Sequence, residues 1–252
     1  MSEQRLAEIL FDRLYVRSES GYLETEVFDG AGTARAPRLQ LEVEEDLKFA
    51  NGDPATFADV AFSINDVYRS CGVARDACGW FGQVFGNARQ ITDRVGEIVF
   101  SVTMPEEEPE QYLRTTALFS RKALDPGGEG EPDVVGARRN PVGTGPFWAE
   151  QTIESFDDIH LSRNPNRGGG EGVVESLRLL YDQDSARQKE LMLGRKADLW
   201  VSPPPAVLPE FANQTETFSV IPYELNQWWY VAVDTTDSVL SDARVRQALD
   251  LL

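Results

Sequence analysis

Apolar residues recur at helical spacing near the start of the chain. Leu6, Ile9, Leu10 and Leu14 predict an amphipathic helix within residues 5–16. The period drops to two around Leu39, Leu41 and Val43, which predicts a strand. A helix is expected over 57–70 and a second, shorter one over 78–86. Residues 97–103 alternate and are rich in β-branched side chains, so they read as a strand. Residues 109–117 read as helix, and the Gly/Pro/Glu-rich stretch 125–132 reads as an exposed loop. Beyond Gly145 the pattern returns to strands, with 147–150 expected to pair with 158–162. Residues 164–172 form a glycine-rich connection, and 176–181 a further strand. Asp184 or Ser185 caps a helix that runs to Leu193 and stops at Gly194. A short strand is expected over 198–201, stopped by Pro203, Pro204 and Pro205, and another over 228–233. Asp242 opens a last helix, and no internal repeat is visible.

Residues 49–63, FANGDPATFADVAFS, hold the most informative local pattern. Asn51-Gly52 tolerates the positive φ of a tight turn, and Asp53-Pro54 makes a second turn. Thr56 is a good N-cap, with Asp59 three residues on, where a carboxylate meets the positive end of the helix. This segment resembles the "F-x-[DN]-G-x-P-x-[TS]-x-x-D-V-x-F-S" pattern of the family 5 extracellular solute-binding proteins. These are receptors that deliver oligopeptides, dipeptides, nickel chelates and similar solutes to ABC importers. Further segments resemble the family in the expected order. They are Asn140-Pro141-Val142-Gly143-Thr144-Gly145-Pro146-Phe147, Ile159-His160-Leu161-Ser162-Arg163-Asn164-Pro165-Asn166, Leu193-Gly194-Arg195-Lys196-Ala197-Asp198-Leu199 and Asp242-Ala243-Arg244-Val245-Arg246-Gln247-Ala248-Leu249.

The resemblance implies an α/β, periplasmic-binding-protein type II-like fold, with mixed sheets, flanking helices and an inserted subdomain in the N-terminal lobe. It implies a discontinuous first lobe of residues 1–22 and 138–235 and a smaller inserted subdomain of 23–137. The second lobe would start at 236–252 and be cut short there. Ligand is then held by lobe closure. The family's ligand-lining regions carry over to Trp80, to the turn Val201-Ser202-Pro203, and to Trp228, Trp229 and Tyr230. Arg121 falls where some relatives place a cleft arginine. Each has a plain structural reading beside the functional one: a core tryptophan, a proline turn, a half-buried strand, a surface arginine. Pro203 carries no N–H, so one backbone donor is missing from its turn. Arg167-Gly168-Gly169-Gly170 stands where the family usually has an aromatic pair.

Composition narrows the function. The chain is 41% apolar and 26% charged, which suits a soluble globular protein. No apolar run approaches a bilayer span. A net charge of −18 disfavours nucleic acid and anionic lipid as partners. Cys71 and Cys78 leave a disulfide open, and without a nearby histidine they make no metal site. The sole histidine, His160, alternates with Ile159 and Leu161 and is expected to face solvent. Nothing resembles a nucleophile elbow or a phosphate loop. The expectation is a binding protein, not an enzyme, with no cofactor and no metal. Its expected partners are a small peptide or similar solute and the permease subunits of an ABC importer. Met1 to Arg5 shows no signal pattern and no lipobox cysteine. Either an export signal was removed or lost from a periplasmic or surface-anchored receptor, or the domain is cytosolic. The alternatives carried forward are a ligand-sensing domain of a transcriptional regulator and an eroded fragment that binds nothing.

Overall fold

The alternation at Leu39 and Leu41 builds β4 (Arg38–Glu42), which lies inside an antiparallel sheet. The sheet also holds β3 (Thr33–Arg35), β5 (Phe85–Gln90) and β6 (Val95–Phe100), in the order β3-β4-β6-β5. The structure, a computed structural model, describes residues 3–18, 20–30, 32–68, 83–101, 110, 113–114, 116–128, 132–167, 174–222, 234, 236 and 241–249. Leu39 pairs with Ile98 and Leu41 with Gly96, so the inner face of the sheet is apolar and fully buried. On the outer face Glu97 receives both Arg38 and Arg89, at 3.2 and 3.1 Å. Helix α2 (Phe57–Phe62) lies over the inner face, and its Phe57, Val60 and Phe62 are buried. Gly96 makes this close approach possible, because a Cβ there would overlap the Phe57 ring.

The helix expected over 57–70 forms through Tyr68, where the described stretch ends, but it changes pitch. Residues Ser63–Tyr68 are a π-helix. The short helix expected over 78–86 is corrected at its end, since Phe85 and Gly86 open β5; residues 78–82 lie outside the described ones. The physical reason is a register shift between Phe85 and Asn87. The extra residue of such a bulge breaks the period of two. Phe85 and Ala88 both end up buried, three apart, and imitate a helical pattern. The expected helix 109–117 is likewise not continuous. Thr116 to Ser120 runs extended, and Ala117 forms an antiparallel bridge with Arg13.

A second sheet holds β7 (Phe147–Trp148), β8 (Asp158–Arg163) and β9 (Ser176–Leu180), in that order and antiparallel. The expected pairing of 147–150 with 158–162 is present, with Phe147 opposite Arg163 and Trp148 opposite Ser162. Ile159 and Leu161 are buried with Leu10 of helix α1 (Glu3–Leu10), and His160 faces out, as the alternation required. A hairpin of β1 (Val16–Arg17) and β2 (Leu23–Glu24) follows α1 in the chain. Short helices α3 (Arg121–Leu124) and α4 (Val134–Arg139) complete the first of two units, Met1–Gln188.

Helix α5 (Ser185–Leu193) leads into the second unit, Lys189–Leu252. Within that unit, α6 (Leu208–Ala212) buries Phe211, which meets Trp200 and Phe218 edge-on at 5.8 and 5.0 Å. The strand expected over 198–201 is absent. The segment pairs with no strand among the described residues, and only Trp200 turns inward while Leu199 and Val201 are exposed. The strand expected over 228–233 lies outside the described residues. Asp242 does open the last helix, α7 (Ala243–Leu249), and accepts the N–H of Arg244 at 2.9 Å.

Candidate functional site

Several motifs that look separate in sequence meet around the C-terminal end of α1. The Asn51-Gly52 turn closes with Phe49 N–H donating to the Asp53 carbonyl at 2.9 Å, and Gly52 holds φ of 88°. Ala50 N–H then donates to the Gly143 carbonyl at 2.9 Å, and Gly145 N–H to the Leu10 carbonyl at 3.0 Å. Both glycines are required by packing. A Cβ on Gly143 would overlap the Leu10 carbonyl oxygen, and one on Gly145 would lie 2.5 Å from the Leu10 carbonyl carbon. The buried Asn164 donates to the Gly145 carbonyl at 2.9 Å, and Asn166 donates to the carbonyls of Phe49 and Ala50 at 3.0 Å. Arg167 pairs with Asp12 and Glu26 and donates to the Thr144 carbonyl at 3.1 Å. These motif residues bond to one another. They build a frame.

The frame presents an extended segment, Thr116 to Ser120, that is held along both edges. On one edge Leu14 N–H donates to the Thr116 carbonyl at 2.8 Å, and Leu118 N–H to the Asp12 carbonyl at 2.9 Å. On the other edge the acceptors are side chains of α2 and its π continuation. Ala117 N–H donates to Tyr68 Oη at 2.8 Å, Phe119 N–H to Ser63 Oγ at 2.9 Å, and Arg121 N–H to Asp59 Oδ1 at 2.8 Å. Asp59 Oδ2 accepts the N–H and the hydroxyl of Thr56, both at 2.9 Å, so one carboxylate caps α2 and anchors Arg121. Burial holds the Tyr68 phenol above its ordinary range, against the opposing hydrogen bond from Ala117. Ser120 caps α3 by accepting from Ala123 N–H at 3.3 Å. Arg121 thus opens α3 with its backbone fixed and its side chain exposed. A planar guanidinium in that setting suits a carboxylate, taken by two parallel hydrogen bonds.

The sequence-predicted site residues fall as follows. Arg121 lies in the first unit, and the Val201-Ser202-Pro203 turn in the second. That turn is accessible: Val201 and Ser202 are exposed, Pro203 is half-buried, and Ser202 holds φ of 55° in the left-handed region. Trp80, Trp228, Trp229 and Tyr230 lie outside the described residues. A separate open hollow of about 450 Å³ lies beside the end of α1, walled by Phe11 and Val16 and by the charged Glu8, Asp12, Arg13, Arg17 and Arg114. It includes none of the predicted site residues. The sequence reading missed Ser63, Tyr68, Asn164 and Asn166 as site-building residues. The signals available were a serine inside the apolar run Val60 to Ile64 and the place of Asn164 and Asn166 in the motif around Arg163 and Pro165.

Among the described residues no cluster of three or more His, Cys, Asp or Glu side chains could hold a metal ion. No described helix is long and apolar enough to cross a membrane.

The model of the bacterial extracellular solute-binding proteins, family 5 Middle, matches residues 40–252. No curated protein matches the sequence. Solved structures do match. NikZ from Campylobacter jejuni, in complex with Ni(L-His), aligns over 96% of this chain and 47% of its own, with 16% identity and a TM-score of 0.72. MoaA from A. tumefaciens R10, in complex with mannopinic acid, aligns over 97% of this chain and 49% of its own, with 20% identity and a TM-score of 0.70. The oligopeptide-binding protein AppA from Bacillus subtilis, in complex with a nonapeptide, aligns over 77% of this chain and 38% of its own, with 16% identity and a TM-score of 0.63. The chain therefore spans half or less of the length of these structures.

Proposed function

We propose that this chain, which belongs to the bacterial extracellular solute-binding proteins of family 5, binds a small solute that carries a carboxylate. Its mixed α/β architecture is the periplasmic-binding-protein type II-like fold. The observation that carries the proposal is Arg121, an exposed guanidinium on a rigidly held backbone in a protein of net charge −18. A carboxylate approaching so acidic a surface is repelled at long range, so its capture needs a local cation. Three of the solutes in matched structures, Ni(L-His), mannopinic acid and a nonapeptide, are built on carboxylic acids, which supports this choice of chemistry, although another match holds the neutral sugar mannohexaose.

In this reading Val201, Ser202, Pro203, Trp80, Trp228, Trp229 and Tyr230 are further candidate ligand contacts. The ligand lies between a first lobe of residues 1–22 and 138–235, carrying the inserted 23–137, and a second lobe that begins at 236–252. Closure of the lobes traps the ligand, and the closed form delivers it to the permease of an ABC importer at the outer face of the membrane. The test is calorimetry on the complete gene product with trialanine, Ni(L-His) and mannopinic acid. Saturable binding to at least one, weakened about tenfold or more in Arg121→Ala, is the expected result. Heat from none of the three overturns the proposal.

A further inference from the structure

Asp59, Ser63 and Tyr68 are separated by steps of four and then five residues. In a continuous α-helix a step of four turns the side chain only about 40° from its starting direction, but a step of five turns it about 140°, away from the neighbour. A π-helix winds more slowly, so that i+5 takes the place of i+4. The π segment Ser63–Tyr68 therefore keeps Tyr68 in line with Ser63 and Asp59. Each step along this row rises about 6 Å, close to the two-residue repeat of an extended strand at about 6.7 Å. The match lets one helix face receive the N–H groups of Arg121, Phe119 and Ala117 in turn.

We infer that Asp59, Ser63 and Tyr68 are positioning residues for Arg121, and that the change of helical pitch exists at the point where it sets the guanidinium for a ligand carboxylate. This rests on the reading of Arg121 as the carboxylate contact. The opposite edge of the same segment is tied to Asp12 and Leu14, so the backbone entering α3 cannot slide along the helix. The base of the Arg121 side chain is thereby fixed while its fork stays exposed. A bidentate ion pair depends on direction as well as distance. Loosening the row therefore costs discrimination between an acid and its amide. General affinity, which depends on contacts elsewhere, is spared.

The experiment compares trialanine with trialanine amide, and Ni(L-His) with nickel histidinamide, on the complete gene product and on Tyr68→Phe, Ser63→Ala and Arg121→Ala. Thermal midpoints and circular dichroism establish that each variant is folded, and two independent row variants guard against one that is not. The expected result is that Arg121→Ala abolishes the preference for the acid. Tyr68→Phe and Ser63→Ala lower it by roughly threefold to tenfold, the worth of one net hydrogen bond, with the amide's affinity unchanged. Equal weakening of acid and amide in the row variants assigns them a purely structural role and overturns the inference. So does an unchanged preference in both row variants while Arg121→Ala loses it. An unchanged preference in Arg121→Ala, or no binding of either acid, overturns the underlying reading of Arg121 and this inference with it.

Discussion

Gly194 looks like the residue that ends α5, but the left-handed position falls on Arg195, at φ of 53°. Lys196 N–H donates to the Leu191 carbonyl at 2.8 Å and Arg195 N–H to the Met192 carbonyl at 3.0 Å, the pair of bonds that defines a Schellman ending. A side chain with a Cβ pays roughly 1 kcal/mol there, which glycine does not. Arg195→Gly is thus expected to stabilise by about 0.5–1 kcal/mol, read as a higher midpoint in urea. Tyr15 offers a different case. Its hydroxyl is buried without a hydrogen-bond partner among the described residues. Burial first, and Glu110 second, push its ionisation above the ordinary phenol range. A raised value in the folded state leaves its stability contribution intact below the unfolded value, near pH 10, and removes it as the pH rises toward the folded value. Unfolding free energy should therefore fall as the pH rises above about 10, and the fall should be shallower in Tyr15→Phe. At neutral pH the same variant should lose nothing and gain up to about 1 kcal/mol.

At the scale of elements, Arg167 is the residue to test. It joins the end of α1 through Asp12, the turn after β2 through Glu26, and the Gly143-Thr144-Gly145 turn through the Thr144 carbonyl. The side chain of Asp12 is only 13% exposed, so removing its partner strands a largely buried carboxylate. Arg167→Leu should cost about 2 kcal/mol in chemical unfolding, and adding Asp12→Asn should restore part of that loss. How much of these elements was legible in sequence depended on where each residue's partner lies. β4, β8 and β9 follow from alternation because burial on one face is a local matter. β5 was misread because its bulge puts Phe85 and Ala88 three apart. The π segment was invisible, since the strand it serves begins almost fifty residues beyond Tyr68. The same distance hid the roles of Ser63 and Tyr68, while Asp59 was legible only as a carboxylate at the positive end of its own helix.

For the molecule as a whole, the charge of −18 sets the terms of encounter. A ligand of the proposed kind, bearing a carboxylate for Arg121, meets a repulsive field at long range and an attractive guanidinium only on contact. Screening shortens the reach of the field more than it weakens a close bidentate pair. Its association rate should therefore rise severalfold between roughly 20 mM and roughly 300 mM salt, the reverse of ordinary electrostatic steering. Stopped-flow measurement of the intrinsic tryptophan signal checks this. A rate that falls with salt would place a wider positive patch around the entrance. The order of motifs along the chain was enough to identify the family, and the structure explains why that identification says little about the ligand. Asn164, Asn166, Gly143 and Gly145 are committed to Leu10, Phe49, Ala50 and one another. None of these can be exchanged alone without a clash against Leu10 or an unmet carbonyl. The Arg121 side chain is exposed and takes no part in those bonds. In the proposed reading, a change at such an outward position alters the bound solute and leaves the frame that carries the family's motifs as it was.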